Sequence, residues 1–319
     1  WLAGRWRGRA NLMWAVGGDI GLGDRGDEGH EQLVVFRALA EGLRAGGATQ
    51  LLTFHPTGGR IPSVGFSSAN FLLNESWVDF DSVQVHGSCR QVTSRSIESF
   101  RRQRRPSLVA EGWYFAEEQC MAFCAPPPPP DEACRGHKFC VHTTTPLGIR
   151  RATWSARVGG GSLGDAYAEW PFWAHKPTAE AGLGFSSPAA AWQVATVMRR
   201  ILDMACWHHL VPDDPFEWAP LERGRSDGYV SVAASAANDT LLLYWPAVRL
   251  PSVWVDFARF AAPPTGVWVD PSSGRETAAD IDMTATASPA GSGWPNASWV
   301  KISPAQARSL GAFDEDDAV

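Results

Sequence analysis

Five short runs that read as strands, separated by long connecting segments, constrain the fold of this chain more than any other feature. The runs are residues 11–19, 50–55, 81–86, 107–111 and 159–167. The segments between them contain helical patterns, most clearly at residues 31–45, where apolar residues recur at helical spacing before a Gly-Gly stop. Parallel neighbouring strands need such crossover connections, whereas antiparallel strands can be joined by a tight turn. The first part of the chain is therefore predicted to be a parallel α/β fold.

The last third of the chain has a different pattern, with short alternating runs and turns between them. These runs predict antiparallel strands at residues 229–234, 240–245, 252–257, 266–269 and 299–302. A closed (β/α)8 TIM barrel needs eight strand units, and the sequence offers five. We therefore expect residues 1–212 to be barrel strands four to eight, with the N-terminal strands missing upstream. A small antiparallel β-sandwich domain with an acidic tail is expected at residues 213–319.

The missing part can be sized from the barrel itself. Three strand and helix units at about 40 residues each correspond to roughly 120 further residues. A barrel without them would expose strand edges and interior surface, so the chain alone is expected to aggregate or fold only partly.

Composition excludes several classes of partner. The 319 residues carry a formal net charge of -6, which provides no basic surface for a phosphate backbone, so no nucleic-acid partner is expected. No apolar stretch approaches the roughly 20 residues of a membrane-spanning helix, and no membrane span is expected. With 45% hydrophobic residues, the chain can bury a large core.

Two weak features favour a secreted or extracellular glycoprotein. N-glycosylation acceptor patterns begin at Asn74, Asn238 and Asn296. Four of the six cysteines lie close together in a Pro-rich segment, where disulfide bonds would hold together a loop that has no core of its own. These four are Cys120, Cys124, Cys134 and Cys140. A structural zinc site with His137 and His142 is the competing interpretation.

Two carboxylates, Asp19 and Glu111, each close an apolar run. In a parallel barrel the side chains at the C-terminal strand ends converge on one mouth, where the active site lies. Two acids so placed predict glycoside hydrolysis, and the retaining mechanism requires their carboxyl groups to be about 5 to 5.5 Å apart. In the competing structural interpretation, Asp19 caps the following turn and Glu111 pairs with an arginine.

His55 and His86 end the two intervening runs and would point into the same mouth. They could hydrogen-bond sugar hydroxyls or orient a carboxylate. An alternative function is a metal-dependent TIM-barrel hydrolase in which His55 and His86 hold the metal with Asp165 as a further ligand. A non-catalytic carbohydrate-binding protein is a third possibility.

Several sequence blocks, in order, resemble one known family. They are residues 11–19 (NLMWAVGGD), 52–60 (LTFHPTGGR), 77–84 (WVDFDSVQ), 110–111 (AE) and 150–154 (RRATW), and further along 228–229 (GY), 244–246 (YWP) and 268–274 (WVDPSSG). Together they are similar to the apiosidase-like glycoside hydrolases and cover most of residues 5 to 302. The order and spacing of the blocks make the resemblance specific.

The resemblance implies a (β/α)8 hydrolase that needs no cofactor and no metal, with Asp19 as acid/base and Glu111 as nucleophile. Family members with an assigned role cleave apiose-containing pectic glycans, so the implied substrate is a plant-type or other complex polysaccharide. The family's usual C-terminal domain is often labelled collagen-binding. Nothing in residues 213–319 supports that label, and we expect this domain to support the barrel.

The sugar site is expected to be lined by residues at the ends of the last strands. These are His55, Gln84, His86, Trp113, Tyr114 and Tyr167. Two departures from the family pattern lie beside them: the tyrosine and glutamate that usually follow the nucleophile are spread apart at Tyr114 and Glu117, and the last strand carries Asp165.

Overall fold

The structure is a computed structural model. It describes residues 1–20, 27–56, 67–70, 72, 74–85, 89–103, 105–112, 118–119, 142–143, 146–159, 162–166, 192–213, 218–219, 229–246, 253–279 and 299–302.

The first half of the described chain alternates strands with helices. Its strands are β1 (Trp14–Ile20), β2 (Leu52–Pro56), β3 (Asp81–Gln84), β4 (Ser107–Glu111), β5 (Glu118–Gln119), β6 (His142–Thr143) and β7 (Ser162–Asp165). Its helices are α1 (Leu2–Arg5), α2 (Asp27–Ala45), α3 (Cys89–Gln103) and α4 (Pro146–Gly159). A further helix, α5 (Arg199–Met204), continues a π-helical stretch, Gln193–Met198. Within the described residues, α2 ends at the predicted Gly-Gly stop, where Gly47 has a φ of +88°.

Five of these strands run parallel in chain order. β1 pairs with β2, β3 with β4, and β4 with β7. β2 and β3 are adjacent, since the Asp79 amide donates to the Leu52 carbonyl at 2.8 Å and the Thr53 hydroxyl to the Phe80 carbonyl at 2.7 Å. The predicted parallel α/β arrangement of five strand units is confirmed. β5 and β6, which lie between β4 and β7 in the sequence, pair with each other as a short antiparallel ribbon.

One face of the parallel strands packs against the helices. Val16 of β1 and Phe54 of β2 are buried in a cluster with Phe36 of α2. Further along, Val83 and Val109 are buried in a second cluster that includes residues of α3 and α4. Because successive strand residues point to opposite faces, the residues between them face away from the helices.

Asp81, the first residue of β3, is a fully buried carboxylate at the end of the strands opposite the predicted mouth. It accepts hydrogen bonds from the hydroxyls of Ser67, Ser68 and Ser99 and from the amides of Ala69 and Ser82. Burial raises the pKa of this carboxyl group, and the donated hydrogen bonds oppose that rise. The carboxylate thereby joins residues 67–70 and α3 to β3.

The C-terminal part consists of antiparallel strands. They are β8 (Leu210–Pro212), β9 (Ser231–Ser235), β10 (Leu241–Tyr244), β11 (Val253–Asp256), β12 (Gly266–Val269), β13 (Glu276–Ala279) and β14 (Trp299–Ile302). β9 lies between β8 and β10, β11 pairs with β14, and β12 pairs with β13. The five predicted antiparallel runs are confirmed, and β8 and β13 are additional strands that the sequence pattern did not predict.

These antiparallel strands pack on the helices. Trp154 of α4 stacks on Tyr244 of β10 with ring centroids 5.5 Å apart, and both lie in a buried cluster with Ile201 of α5. The hydroxyls of Thr93 and Ser231 are 2.8 Å apart, and Arg151 Nε donates to the Pro246 carbonyl at 2.9 Å. A hydrophobic cluster and buried polar contacts therefore join α3, α4 and α5 to the C-terminal strands.

Membrane spans and disulfides are the remaining structural expectations from the sequence. No helix among the described residues is long and apolar enough to cross a membrane. Cys89 is buried and Cys206 exposed, and neither forms a disulfide. The other four cysteines and His137 lie outside the described residues.

Candidate active site

The C-terminal ends of the first four parallel strands carry four of the predicted site residues. They are Asp19 in β1, His55 in β2, Gln84 in β3 and Glu111 in β4. Since the strands are parallel and neighbours in this order, these residues lie at one end of the sheet. For Asp19 this is a statement about the backbone, because its side chain lies outside the described part of the chain.

An irregularity in β1 determines where Asp19 lies. Val16 pairs with Phe54 and Ile20 with Pro56, so residues 17–19 of β1 are opposite the single residue His55. Gly17 has a φ of +78°, and a Cβ there would lie 2.5 Å from Cε2 of Phe54. Only glycine adopts this conformation without strain, which explains why a glycine stands at position 17, two residues before Asp19.

A bulge in β4 determines the face on which Glu111 lies. Val83 pairs with Val109, but the next pair is Gln84 with Glu111, which leaves Ala110 as an extra residue. Val109 faces the helices, and strict alternation would turn Glu111 to that same face. The bulge instead places Glu111 on the face of Gln84, which is how bulges beside active sites redirect a side chain.

The redirected carboxylate lies beside a histidine. His55 Nε2 is 3.3 Å from Glu111 Oε2, and the side chains are 21% and 19% exposed. β2 and β4 flank β3, and side chains from alternate strands share a layer in the interior of parallel barrels. The structure therefore brings together two of the predicted site residues, one from each of these strands.

Gln84 lies deeper than its neighbours in this group. Its side chain is 3% exposed, and within the described part of the chain its Oε1 atom has no hydrogen-bond partner. A buried amide oxygen without a partner is costly, so this atom is the polar group of β3 that most needs a hydrogen-bond donor.

Asp165 lies on the other face of the strands. It pairs with Val109, accepts a hydrogen bond from the Thr153 hydroxyl at 2.6 Å, and its Oδ1 lies 3.5 Å from Nε of Arg157. Burial raises its pKa, and the Arg157 charge acts in the opposite direction. α4 supplies both partners, on the face of the strands away from His55. The interpretation of Asp165 as a metal ligand beside His55 and His86 stays a prediction, since His86 lies outside the described residues.

Four predicted lining residues, His86, Trp113, Tyr114 and Tyr167, lie outside the described residues, and so does Glu117. Their roles remain predictions. Sequence reasoning also missed two contact residues, Thr153 and Arg157. Their spacing of four residues on a helix that faces the last parallel strand is the signal that could have found them.

Parallel strands in chain order, with helices on one face and acidic and imidazole groups at the C-terminal ends, define the class of an α/β enzyme scaffold. Residues 1–217 match the family described as apiosidase-like, catalytic domain. The chain belongs to this family, as its sequence blocks predicted.

Solved structures have a similar fold. A glycoside hydrolase family 5 protein from Bacteroides vulgatus ATCC 8482 is 20% identical with a TM-score of 0.62, over 87% of this chain and 58% of that one. A second structure, described as a glycoside hydrolase, is 21% identical with a TM-score of 0.62, over 87% of this chain and 60% of that one. The chain thus spans less than two thirds of either structure. No curated protein matches it.

Proposed function

We propose that this protein is a retaining glycoside hydrolase in which Asp19 is the acid/base and Glu111 the nucleophile. The observation that carries the proposal is the bulge at Ala110, which turns Glu111 from the helix-packed face to the face shared by Gln84 and His55. Membership of the apiosidase-like family and the names of the two similar structures agree with it.

In this mechanism the two acids have different protonation states. Asp19, protonated, gives its proton to the leaving glycosidic oxygen while ionised Glu111 attacks the anomeric carbon, which forms a covalent glycosyl-enzyme and releases the aglycone. Asp19, now ionised, then takes a proton from water, which attacks the same carbon and frees Glu111. The anomeric configuration is retained because each of the two displacements at the anomeric carbon inverts it.

The wider proposal concerns the substrate and the rest of the molecule. The substrate is a plant-type or other complex polysaccharide, with apiose-containing pectic glycans as the first candidates, and Gln84, His86, Trp113, Tyr114 and Tyr167 line the sugar site. The five parallel strands belong to a (β/α)8 barrel. The antiparallel strands after residue 212 form a β-sandwich that supports it.

The protein is further proposed to be secreted and N-glycosylated. Asn74 and Asn238, the first residues of two acceptor patterns, are both exposed. Mobility shift after treatment with an endoglycosidase, compared with Asn74→Gln and Asn238→Gln variants, tests this point separately from the activity.

The catalytic proposal is tested with Asp19→Asn and Glu111→Gln. We expect Glu111→Gln to reduce hydrolysis of aryl glycosides, including an aryl apioside, to near background. Asp19→Asn should slow hydrolysis of unactivated glycans by about 10² to 10⁴-fold, the usual contribution of a general acid. Product NMR of the wild type should show the retained anomer first.

Matched controls are Glu31→Gln and Asp203→Asn, exposed acids that lie on α2 and α5. Undiminished activity of Glu111→Gln would remove it as the nucleophile. Activity that is lost on chelation and restored by a divalent metal would favour the metal-dependent hydrolase. Glycan binding without any turnover would instead indicate the non-catalytic carbohydrate-binding protein.

A further inference from the structure

The exposed side of α3 carries a concentration of positive charge that the proposed mechanism does not use. At 3.6 residues per turn, the charged residues of this helix fall within about 140° of its circumference, and the residues on the opposite side are buried. The charged residues are Arg90, Arg95, Glu98, Arg101 and Arg102. Four arginines and one glutamate give this basic face a formal charge of +3, in a chain whose net charge is -6.

The elements that pack against α3 add no exposed carboxylate to the basic face within the described residues. α4 contains no aspartate or glutamate. Asp81 of β3 is fully buried and accepts a hydrogen bond from Ser99, on the buried side of α3. Glu111 of β4 lies on the face of the strands that is turned away from the helices. The helices and strands beneath α3 therefore leave the positive charge of this face in place.

Glu98 shows how the basic face holds a carboxylate. Nη1 of Arg95 lies 2.7 Å from Oε2 of Glu98, and Nη2 of Arg102 lies 2.8 Å from Oε1. A guanidinium has five N–H donors in a planar fork that matches a carboxylate, and the bond to Glu98 uses one of them. Both arginine side chains stay accessible, at 36% and 39% exposed. Because Glu98 already orders them, a further carboxylate binds at a lower cost in side-chain entropy.

The basic face begins close to the proposed active site. Cys89, the first residue of α3, follows Gln84 by five residues, and Gln84 lies at the same end of the sheet as Glu111. From Arg90 to Arg102 the face extends about 18 Å along the helix, at 1.5 Å per residue. It therefore runs from the end of the strands that carries the proposed site down the outside of the molecule.

We propose that the basic face of α3 binds uronic-acid units of an acidic polysaccharide, outside the site of hydrolysis. Uronates carry the carboxylate group that arginine recognises, and a polysaccharide repeats it along a line, as α3 repeats its arginines. The choice of a glycan as the partner rests on the proposed function. A single-stranded nucleic acid fits less well, because the residues of this face include no aromatic side chain on which a base could stack.

Electrophoresis in native gels that contain polygalacturonate tests this surface without any turnover. We expect polygalacturonate, but not neutral dextran, to retard the protein, and added salt to weaken the retardation. The triple variant Arg90→Gln, Arg95→Gln and Arg102→Gln keeps residues with good helix propensity. It should bind about tenfold more weakly, since each exposed ion pair contributes little by itself. Arg199→Gln, an exposed arginine of α5 that pairs with Asp203, is the matched control and should bind as the wild type does.

Hydrolysis supplies a second readout. The triple variant should keep the wild-type kcat and KM on an aryl glycoside, and on an acidic polysaccharide its KM should rise with kcat unchanged. Equal retardation of the variant and the wild type by polygalacturonate would overturn the proposal, even if the variant has a lower Tm, since the arginines would then only stabilise the helix. Retardation by dextran, or equally strong binding of a DNA oligomer, would overturn the assignment to uronates. If the wild type hydrolyses no glycoside, the proposed function fails, and the gels still decide whether α3 binds uronates.

Discussion

At the residue scale, the chain contains a carboxylate whose ionisation is coupled to the fold. Glu75 accepts hydrogen bonds from Arg37 of α2, with Nη2 2.5 Å and Nε 3.1 Å from Oε1, and from the Trp77 indole at 2.9 Å. The hydrogen bonds from Arg37 hold the pKa of Glu75 below its ordinary value of 4.5, with burial acting in the opposite direction. Glu75 thereby connects the segment before β3 to α2.

This coupling predicts that Glu75→Gln loses stability to an extent that depends on pH. A carboxyl group whose pKa is lower in the folded state than in the unfolded state stabilises the fold above the unfolded pKa. That contribution disappears as the pH falls through the folded pKa. We expect Glu75→Gln to lower Tm at neutral pH, and the difference from the wild type to shrink below about pH 4.5. Thermal unfolding of both proteins at pH values from 3 to 7, in steps of about one pH unit, measures this difference in Tm. Glu31→Gln on α2 is the control, and an equal difference at every pH would contradict the assignment.

At the element scale, two of the parallel strands are irregular near their C-terminal ends. β1 holds extra residues opposite His55, and β4 holds Ala110 as an extra residue before Glu111. In both strands the irregularity lies directly before the predicted catalytic acid. A regular β4 would turn Glu111 to the helix-packed face of Val109, since side chains alternate.

The first irregularity is tested by Gly17→Ala. The positive φ of Gly17 and the contact of a new Cβ with buried Phe54 predict a destabilisation of more than about 1 kcal/mol in urea unfolding. Because Asp19 follows two residues later, we also expect kcat to fall by about 100-fold.

Gly18→Ala is the matched control, since a Cβ at Gly18 meets no atom within 4 Å. It should lose much less of both stability and activity. Equal effects of the two substitutions would show that the bulge does not depend on Gly17.

At the scale of the whole molecule, the C-terminal strands are packed on the helices of the parallel part. The shared core places Trp154 of α4 and Tyr244 of β10 in one stack, supported by the contact between Thr93 and Ser231. Two parts joined by a buried apolar cluster are expected to unfold together.

Trp154→Ala tests this coupling. Its indole is 3% exposed, and its removal should cost about 3 to 5 kcal/mol in the free energy of unfolding. Calorimetry should show one transition in the wild type and a lower Tm in the variant. Trp192→Ala removes an indole that is 48% exposed and should change Tm little. Two separate transitions in the wild type would contradict a shared core.

Much of the fold could be predicted from the sequence because it depends on local patterns. The parallel strand units, the Gly-Gly end of α2 and five antiparallel runs follow from periodicity and turn residues. The start of α3 could not be predicted in this way. Its buried face includes Thr93, Ser96 and Ser99, so small polar residues conceal the apolar period that a buried helix usually shows.

The sequence by itself determined the family, the order of strands and helices, and which acids and histidines end the strands, since these depend on residues near one another in the chain. Tertiary structure alone decided the faces on which these residues lie. Glu111 meets His55 because β4 has one residue more than β3 at the bulge, and Asp165 turns to Thr153 and Arg157 because it pairs with Val109. Strand register sets both outcomes, and register depends on contacts between segments far apart in the chain.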